Sequence, residues 1–391
     1  MNIINAAFFI SLFLIFYAFI GYGFLLFILI KIKRLIFGKP LIPEAENLPT
    51  CTLIVAAYND EAFIEKKIKN SLELIYPENK LKFIFVTDGS TDDTARIVSK
   101  FPRVNHMHAS ARLGKMAAVH RAIAKVNTDI IVFTDANTFL NREAIVNICR
   151  HYADNKVGAV AGEKRVNITE TADATAGEGF YWKYESKLKA WDSELYSVVG
   201  AAGELFSIRT NLYQPVPAGA IIDDFMISML IAEKGYKIVY EPEAYAMETG
   251  SENVKEELKR KIRIAAGGIQ SIIWLKSLLN PIKTPLLSFQ YISHRVLRWT
   301  IVPFLMLLVL LLNILIVARG DSAPLFQVLL LGQLVFYGMS ALGWLMVARE
   351  IKVKIFFIPY YFSMMNYAVI MGIVRFTKGK QSAVWEKAKR R

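Results

Sequence analysis

The sequence predicts an α/β domain on a mixed, mostly parallel sheet, carried between membrane-spanning helices. Three observations predict it. Short β-rich apolar runs alternate with helical stretches between about residues 48 and 279, the pattern of strands joined by crossover helices. Two of these runs, Phe83 to Val86 and Ile130 to Phe133, lead into Asp88 and Asp135, where open α/β sheets place ligand groups. Apolar stretches flank the block on both sides, each near the roughly 20 residues that a bilayer crossing needs.

Composition agrees. The 391 residues are 54% hydrophobic and 21% charged, with a mean hydropathy of +0.33, too apolar for an ordinary soluble enzyme. The net charge is +13, but the basic residues gather beside the apolar runs: Lys31, Lys33, Arg34 and Lys39 after the first, Lys378 to Arg391 after the last. With no basic helix or aromatic-basic platform, no nucleic-acid partner is expected. Cys51 and Cys149 are the only cysteines, and without a CxxC pair they indicate neither a disulfide framework nor a structural zinc site. His106 and His108 share a strand face, but no third ligand stands near, so no metal role is expected of them.

Taken in order, Ile4 to Ile30 is an uncharged run within an anchor at residues 1–34, lacking a signal-peptide cleavage site. Because basic residues follow it, the positive-inside rule puts the amino terminus outside and the next block in the cytosol. A multi-pass protein of the cell membrane is expected. Pro40, Pro43 and Pro49 mark a linker. The domain at residues 48–279 holds strand-like runs at Thr52 to Ala56, Phe83 to Val86, Ile130 to Phe133 and Val157 to Ala161, with helices at Asp92 to Lys100 and Lys115 to Lys125. Residues 280–298 include Pro285 to Arg298, whose apolar residues mixed with His294, Arg295 and Arg298 suit an interfacial helix. Residues 299–374 offer spans at Trp299 to Val317, Leu325 to Val347 and Ile355 to Val374, and residues 375–391 form a basic tail. Three spans from a cytosolic domain would leave that tail outside, against the charge rule, so either one segment only dips into the bilayer or the rule is broken; three spans are expected. Arg319-Gly320-Asp321 reads as a turn.

Chemistry concentrates at the strand ends. In Leu53 to Asp60, LIVAAYND, a buried strand gives way to a polar turn at Ala57, Tyr58 and Asp60 whose backbone can frame a flat base. VTDGSTDDT places Asp88 where a carboxylate either accepts hydrogen bonds from a base or ribose, or caps the next helix. Arg112 and Lys115 stand at a helix start, where cations are unfavourable unless an anion such as phosphate joins them. VFTDANT sets Asp135 and Asn137 one residue apart, two oxygens for a Mg²⁺ or Mn²⁺ whose other ligands come from a diphosphate. Asp223 and Asp224 open a helix after Pro215, Pro217 and Gly219, and two adjacent carboxylates exceed what a cap requires.

In order, Asp88, Lys115, Asp135-Ala136-Asn137, Gly-Ala-Ala-Gly-Glu204 and Asp223-Asp224 resemble a family 2 glycosyltransferase, most closely the membrane-embedded branch of cellulose, hyaluronan and poly-N-acetylglucosamine synthases. The resemblance implies a GT-A type nucleotide-diphospho-sugar transferase domain and metal-dependent, inverting hexosyl transfer. The donor would be a UDP-sugar and the acceptor a growing β-linked polysaccharide, with export coupled to synthesis; the alternative is transfer of one sugar to a membrane lipid. Implied partners are the donor, a carbohydrate or lipid-linked acceptor, membrane lipid, and a second copy or accessory export proteins.

By the same resemblance, Ala57, Tyr58, Asp60 and Asp88 hold the nucleoside, Lys115 lies near the nucleotide, and Asp135 begins the Asp-x-Asp metal motif, with Asn137 in the second place. Gly203 and Glu204 fall on the acceptor side, and Asp224, beside Asp223, is the base. Arg260-Lys-Ile-Arg263-Ile264 resembles the family's Gln/Arg-x-x-Arg-Trp motif without its Trp, which puts Arg260 at the nucleotide and Arg263 at the leaving diphosphate. Arg295-Val-Leu-Arg298-Trp299 is a second match, beside the first downstream span. The helix around Tyr181, Trp182, Tyr184, Glu185 and Trp191 suits either sugar stacking or packing. The tail with Gln381, Trp385 and Arg390 resembles tails that fold near the active-site mouth.

Overall fold

The computed structural model describes residues 3–167, 175–217, 219–249, 254–320, 323–349, 351 and 353–379. An amino-terminal helical rod runs as α1 (Ile3–Phe16), a π-helical turn (Tyr17–Gly21) and α2 (Tyr22–Phe37). The domain follows as β1 (Cys51–Ala57), α3 (Glu61–Leu72), β2 (Leu81–Asp88), α4 (Thr94–Val98), β3 (Asn105–Ala109), α5 (Lys115–Ile123), β4 (Ile130–Asp135), β5 (Thr138–Leu140) and α6 (Ala144–Cys149). It continues with β6 (Val157–Asn167), α7 (Thr175–Leu195), β7 (Leu205–Arg209), α8 (Asp223–Glu233), β8 (Lys237–Thr249) and α9 (Val254–Trp274). Five helices close the described chain: α10 (Pro285–Tyr291), α11 (Leu297–Trp299), α12 (Val302–Ala318), α13 (Pro324–Ala348) and α14 (Lys354–Thr377).

The strands form one eight-stranded sheet in the order β3-β2-β1-β4-β7-β6-β8-β5. The pairs among β3, β2, β1 and β4 are parallel, as is β6 with β8, while β7 runs antiparallel to β4 and β6, and β5 to β8. The sheet is mixed and mostly parallel, as expected. Its central strands are continuous apolar runs because both faces are covered. Ile54, Ile84, Ile131 and Phe133 join one core, with α5 and α8, and Leu53, Val55, Phe85 and Val132 join the other, with α3 and α6. Cys51 and Cys149 are free thiols buried in that second core.

This topology fixes the site. From β1 the chain moves outward through β2 to β3, then returns to the other flank of β1 as β4. The resulting switch point opens a crevice at the carboxyl ends of the strands. Register pairs Ala57 with Thr87 and Ala56 with Asp135, so Ala57, Asp88 and Asp135 all end at that crevice.

Outside the domain, among the described residues, three helical stretches are long and apolar enough to cross a membrane, Ile3–Phe37, Pro324–Ala348 and Lys354–Thr377. The segments Pro285–Trp299 and Val302–Ala318 form a fourth only if their 59° bend belongs to one span. Sequence reading places a complete span at Trp299 to Val317; the structure instead bends at Thr300, and α12 alone has 17 residues, shorter than a usual crossing. The π turn in the amino-terminal rod has two carbonyls that accept bonds from outside it: Ala18 O from Arg298 Nε at 2.8 Å and Phe19 O from Tyr184 Oη at 2.7 Å. Arg34 adds a two-pronged bond to Glu194, both contacts at 2.6 Å. The rod is thereby clamped to α7 and α11.

Candidate active site

The base-side wall begins where β1 ends. Tyr58 N donates to Asp60 Oδ2 at 3.0 Å, and the nearly buried Asp60 donates its own N–H to Thr94 Oγ1 at 2.8 Å. Asn59 takes a positive φ of 50°, a conformation that asparagine tolerates better than most residues. Its Oδ1 accepts from Thr91 N at 2.8 Å, so the turn after β1 is stitched to the loop after β2. The Arg112 guanidinium lies 3.9 Å from the Tyr58 ring centroid, a cation–π stack whose outer surface is flat and cationic.

Asp88 is only 4% exposed. Its Oδ2 accepts from Leu113 N at 2.9 Å and Gly114 N at 2.6 Å, and its Oδ1 from Arg121 at 2.9 Å. The carboxylate therefore fastens the loop that delivers Lys115, and it does not cap α4, where Asp92 bonds Thr94 N at 3.0 Å. Gly89 makes room for this loop: at φ +65° a Cβ there would stand 2.6 Å from Arg112 N.

Beneath the loop the charges converge. Lys115 Nζ donates to Asp135 Oδ1 at 2.8 Å. Burial pulls its ammonium down, but Asp135, Asp223 and Asp224 outweigh that and hold it well above the usual lysine range. Burial and the neighbouring Asp223 push Asp224 up to about 7, against the pull of Lys115. A carboxylate so poised suits proton uptake near neutral pH. Gly203 forms the facing wall: a Cβ there would lie 3.2 Å from Asp224 Oδ2 and 3.7 Å from Lys115 Nζ. Ala57, Tyr58, Asp60, Asp88, Lys115, Asp135 and Asn137 line one cleft of about 480 Å³, open to solvent. Lys115 and Asp135 also line the adjoining one of about 320 Å³, with Gly203 and Asp223.

As a metal site, Asp135 and Asn137 offer hard oxygen donors at the junction of these clefts, a set that suits Mg²⁺ or Mn²⁺ when a diphosphate completes it. Among the described residues no group of three or more His, Cys, Asp or Glu could hold a metal alone. His106 and His108 both bond Thr87 Oγ1, each at 2.9 Å.

Other predicted residues lie further out. The Glu204 side chain is ion-paired with Lys164, which also binds Glu248. Burial opposes its ionisation, yet Lys164 and Arg260 hold its carboxyl well below the usual range. Arg260 pairs with Glu257 at 3.3 Å, and neither it nor Arg263 is among the described residues lining the two clefts. The second arginine pair is engaged elsewhere: Arg295 and Arg298 bind Glu185 at 2.9 and 3.2 Å. Trp299, however, packs on Phe225, with ring centroids 5.4 Å apart, next to Asp224. Tyr184 and Trp191 pack on the amino-terminal rod. The side chains of Tyr181 and Trp182, and the tail with Gln381, Trp385 and Arg390, lie outside the described residues.

Two residues escaped the sequence reading. Arg121 is one; its position six residues after Lys115 on a short helix holds no motif. The other is Lys67, fully buried on α3, with its Nζ donating to Thr134 Oγ1 at 3.0 Å and Thr138 O at 2.7 Å. Burial pulls its ammonium down to about 7, with Asp135 pulling the other way. The available signal was its place on the apolar stripe with Ile64, Ile68 and Ser71.

Residues 52–215 match the family model described as "Glycosyl transferase family 2". A poly-beta-1,6-N-acetyl-D-glucosamine synthase of Staphylococcus epidermidis is 25% identical over 329 residues, covering 81% of this chain and 78% of the relative. A probable glycosyltransferase of Bacillus subtilis, YdaM, is 26% identical over 245 residues, 57% of this chain and 56% of its own. Among solved structures, the mannosyltransferase PcManGT of Pyrobaculum calidifontis, in complex with GDP-Man and Mn²⁺, superposes with a TM-score of 0.70 at 23% identity, covering 96% of this chain and 100% of that one. That likeness shows the GT-A type fold.

Proposed function

We propose that this chain, whose residues 52–215 match the glycosyl transferase family 2 model, is a membrane-bound inverting transferase that moves a sugar from a UDP-sugar onto a growing β-linked polysaccharide on the cytoplasmic side. The observation that carries the reading is the convergence of Lys115, Asp135 and Asp224: Lys115 Nζ stands 2.8 Å from Asp135, and the space at Gly203 borders both Lys115 and Asp224. The similarity to a poly-beta-1,6-N-acetyl-D-glucosamine synthase supports a polymeric product.

In this reading the outer face of the Tyr58–Arg112 stack is the platform for the base, and Asp88 holds the 113–114 loop that presents Lys115 to the diphosphate. Asp135 and Asn137 would hold a Mg²⁺ or Mn²⁺, which supplies positive charge to the leaving diphosphate. Asp224 takes the acceptor hydroxyl's proton as that oxygen bonds to the anomeric carbon. The bond from that carbon to the phosphate oxygen breaks and UDP leaves, with inversion and no covalent intermediate. Lys115 stays beside the departing negative charge. Gly203, having no side chain, leaves the space beside Asp224 for the acceptor. Glu204, tied to Lys164, braces this wall from behind.

A second reading, transfer of one sugar to a membrane lipid, is favoured by the three or at most four apolar helices among the described residues, too few for a wide polymer channel in one chain. Product size tests the two. Purified protein in lipid, given UDP-sugars and Mn²⁺, yields a polydisperse polymer if the first holds, and a single glycolipid band if the second does.

A further inference from the structure

Lys67 is 0% exposed, and among the described residues no carboxylate lies within ion-pair distance of it. Burying an ammonium without a partner charge is unfavourable, so an apolar residue on this stripe of α3 would pack more favourably. What Lys67 does touch is specific. Its two acceptors, Thr134 Oγ1 and Thr138 O, stand immediately before and after Asp135-Ala136-Asn137. The same turn is tied twice more: Thr138 Oγ1 donates to Asp135 O at 3.0 Å, and Asn70 exchanges two 2.9 Å bonds with the backbone of Leu140. Thr134 Oγ1 in turn donates to Glu204 O at 2.8 Å. One amine thus links the end of β4, the start of β5 and, through a hydroxyl, the wall that carries Gly203.

We propose that Lys67 is a positioning residue that locks the Asp135–Asn137 turn from beneath the sheet and sets it against the Gly203–Glu204 wall. Lys67 lines neither cleft; it acts through the two threonines. The role matters here because position 137 carries an amide. With one ligand charge fewer, cation and diphosphate binding depends more on how well the two oxygens are oriented. The inference rests on reading Asp135 and Asn137 as the cation-holding pair.

The test measures Mn²⁺-dependent UDP binding to the full chain in detergent by calorimetry, beside the unfolding temperature. Lys67→Met keeps the packing and removes both bonds. The expected result is about a tenfold loss of UDP affinity in Mn²⁺, with the metal-free affinity unchanged and the unfolding temperature equal to or above that of the parent. Thr134→Val, which breaks both the Lys67 and the Glu204 links, gives a similar loss and serves if the first variant does not fold. A folded Lys67→Met or Thr134→Val protein with parental affinity in Mn²⁺ overturns the proposal, as does a fall in unfolding temperature without loss of affinity. Asp135→Ala separates the failures: if it too binds UDP normally in Mn²⁺, the underlying site reading has failed rather than the role of Lys67.

Discussion

Replacing Asp223 with Asn tests how the fold makes a base of Asp224. Asp224 sits at about 7, from an ordinary value of 3.8, with burial the larger cause and the Asp223 carboxylate the second. Two unit charges about 6 Å apart interact by about 3 kcal/mol at an effective dielectric near 20, about two pKa units. Both groups are only half-buried, and screening reduces this to about one unit. The base works deprotonated, so kcat/KM climbs with pH through about 7 in the parent. Without the neighbouring charge Asp224 ionises more easily, and the acid limb moves down by about one unit. The assay is UDP release across pH 5 to 9 at sub-saturating donor. An acid limb that stays in place would show that burial alone sets the pKa, refuting the pairwise account.

Other predictions follow from single contacts. Asn137→Asp restores a second ligand charge and lowers the Mn²⁺ concentration for half-maximal UDP binding by about tenfold; calorimetric titration checks it, and no change would remove residue 137 from the cation site. Gly200→Ala introduces a Cβ at φ +81°, 2.1 Å from Phe225 Cδ2, and costs about 3 kcal/mol, roughly 5 °C or more in unfolding temperature. Because Asp224 binds a proton more tightly folded than unfolded, its charge costs stability fully above about pH 7, and the cost fades as pH falls to its ordinary value of 3.8. Asp224→Asn therefore melts above the parent at pH 8 and level with it near pH 3.5, as scanning fluorimetry would show.

The parallel half of the sheet was legible because strands buried on both faces leave an unbroken apolar signature, as in Leu53 to Ala57 and Ile130 to Phe133. Asp88 and Asp135 stood out because polar groups end those runs. What Asp88 binds was not legible: its partners, Leu113 N, Gly114 N and Arg121, lie 25 to 33 residues away, and only the closed crossover brings them close. The mixed half, β5 to β8, depends on pairings such as β5 with β8, more than 100 residues apart, that no local pattern records. The apolar helices declared their hydropathy, and Pro303, which has no N–H to continue a helix from Trp299, was the local signal for the break at Thr300 that hydropathy alone passes over. Lys67 was hidden for the opposite reason: residue type outweighed position, because a lysine is read as solvent-facing even where its spacing sets it on the apolar stripe with Ile64 and Ile68.

The central claim is that Asp224 takes the acceptor's proton while Lys115 and the cation that Asp135 would hold secure the donor diphosphate. The most direct measurement pairs UDP release with UDP binding in the parent, Asp224→Asn and Asp135→Ala proteins, using purified full-length chain with UDP-sugars and Mn²⁺. The account predicts release by the parent, no release but parental UDP affinity in Asp224→Asn, and weakened Mn²⁺-dependent affinity in Asp135→Ala. Release by Asp224→Asn at the parental rate, or equal loss of binding and release in both folded variants, would contradict it.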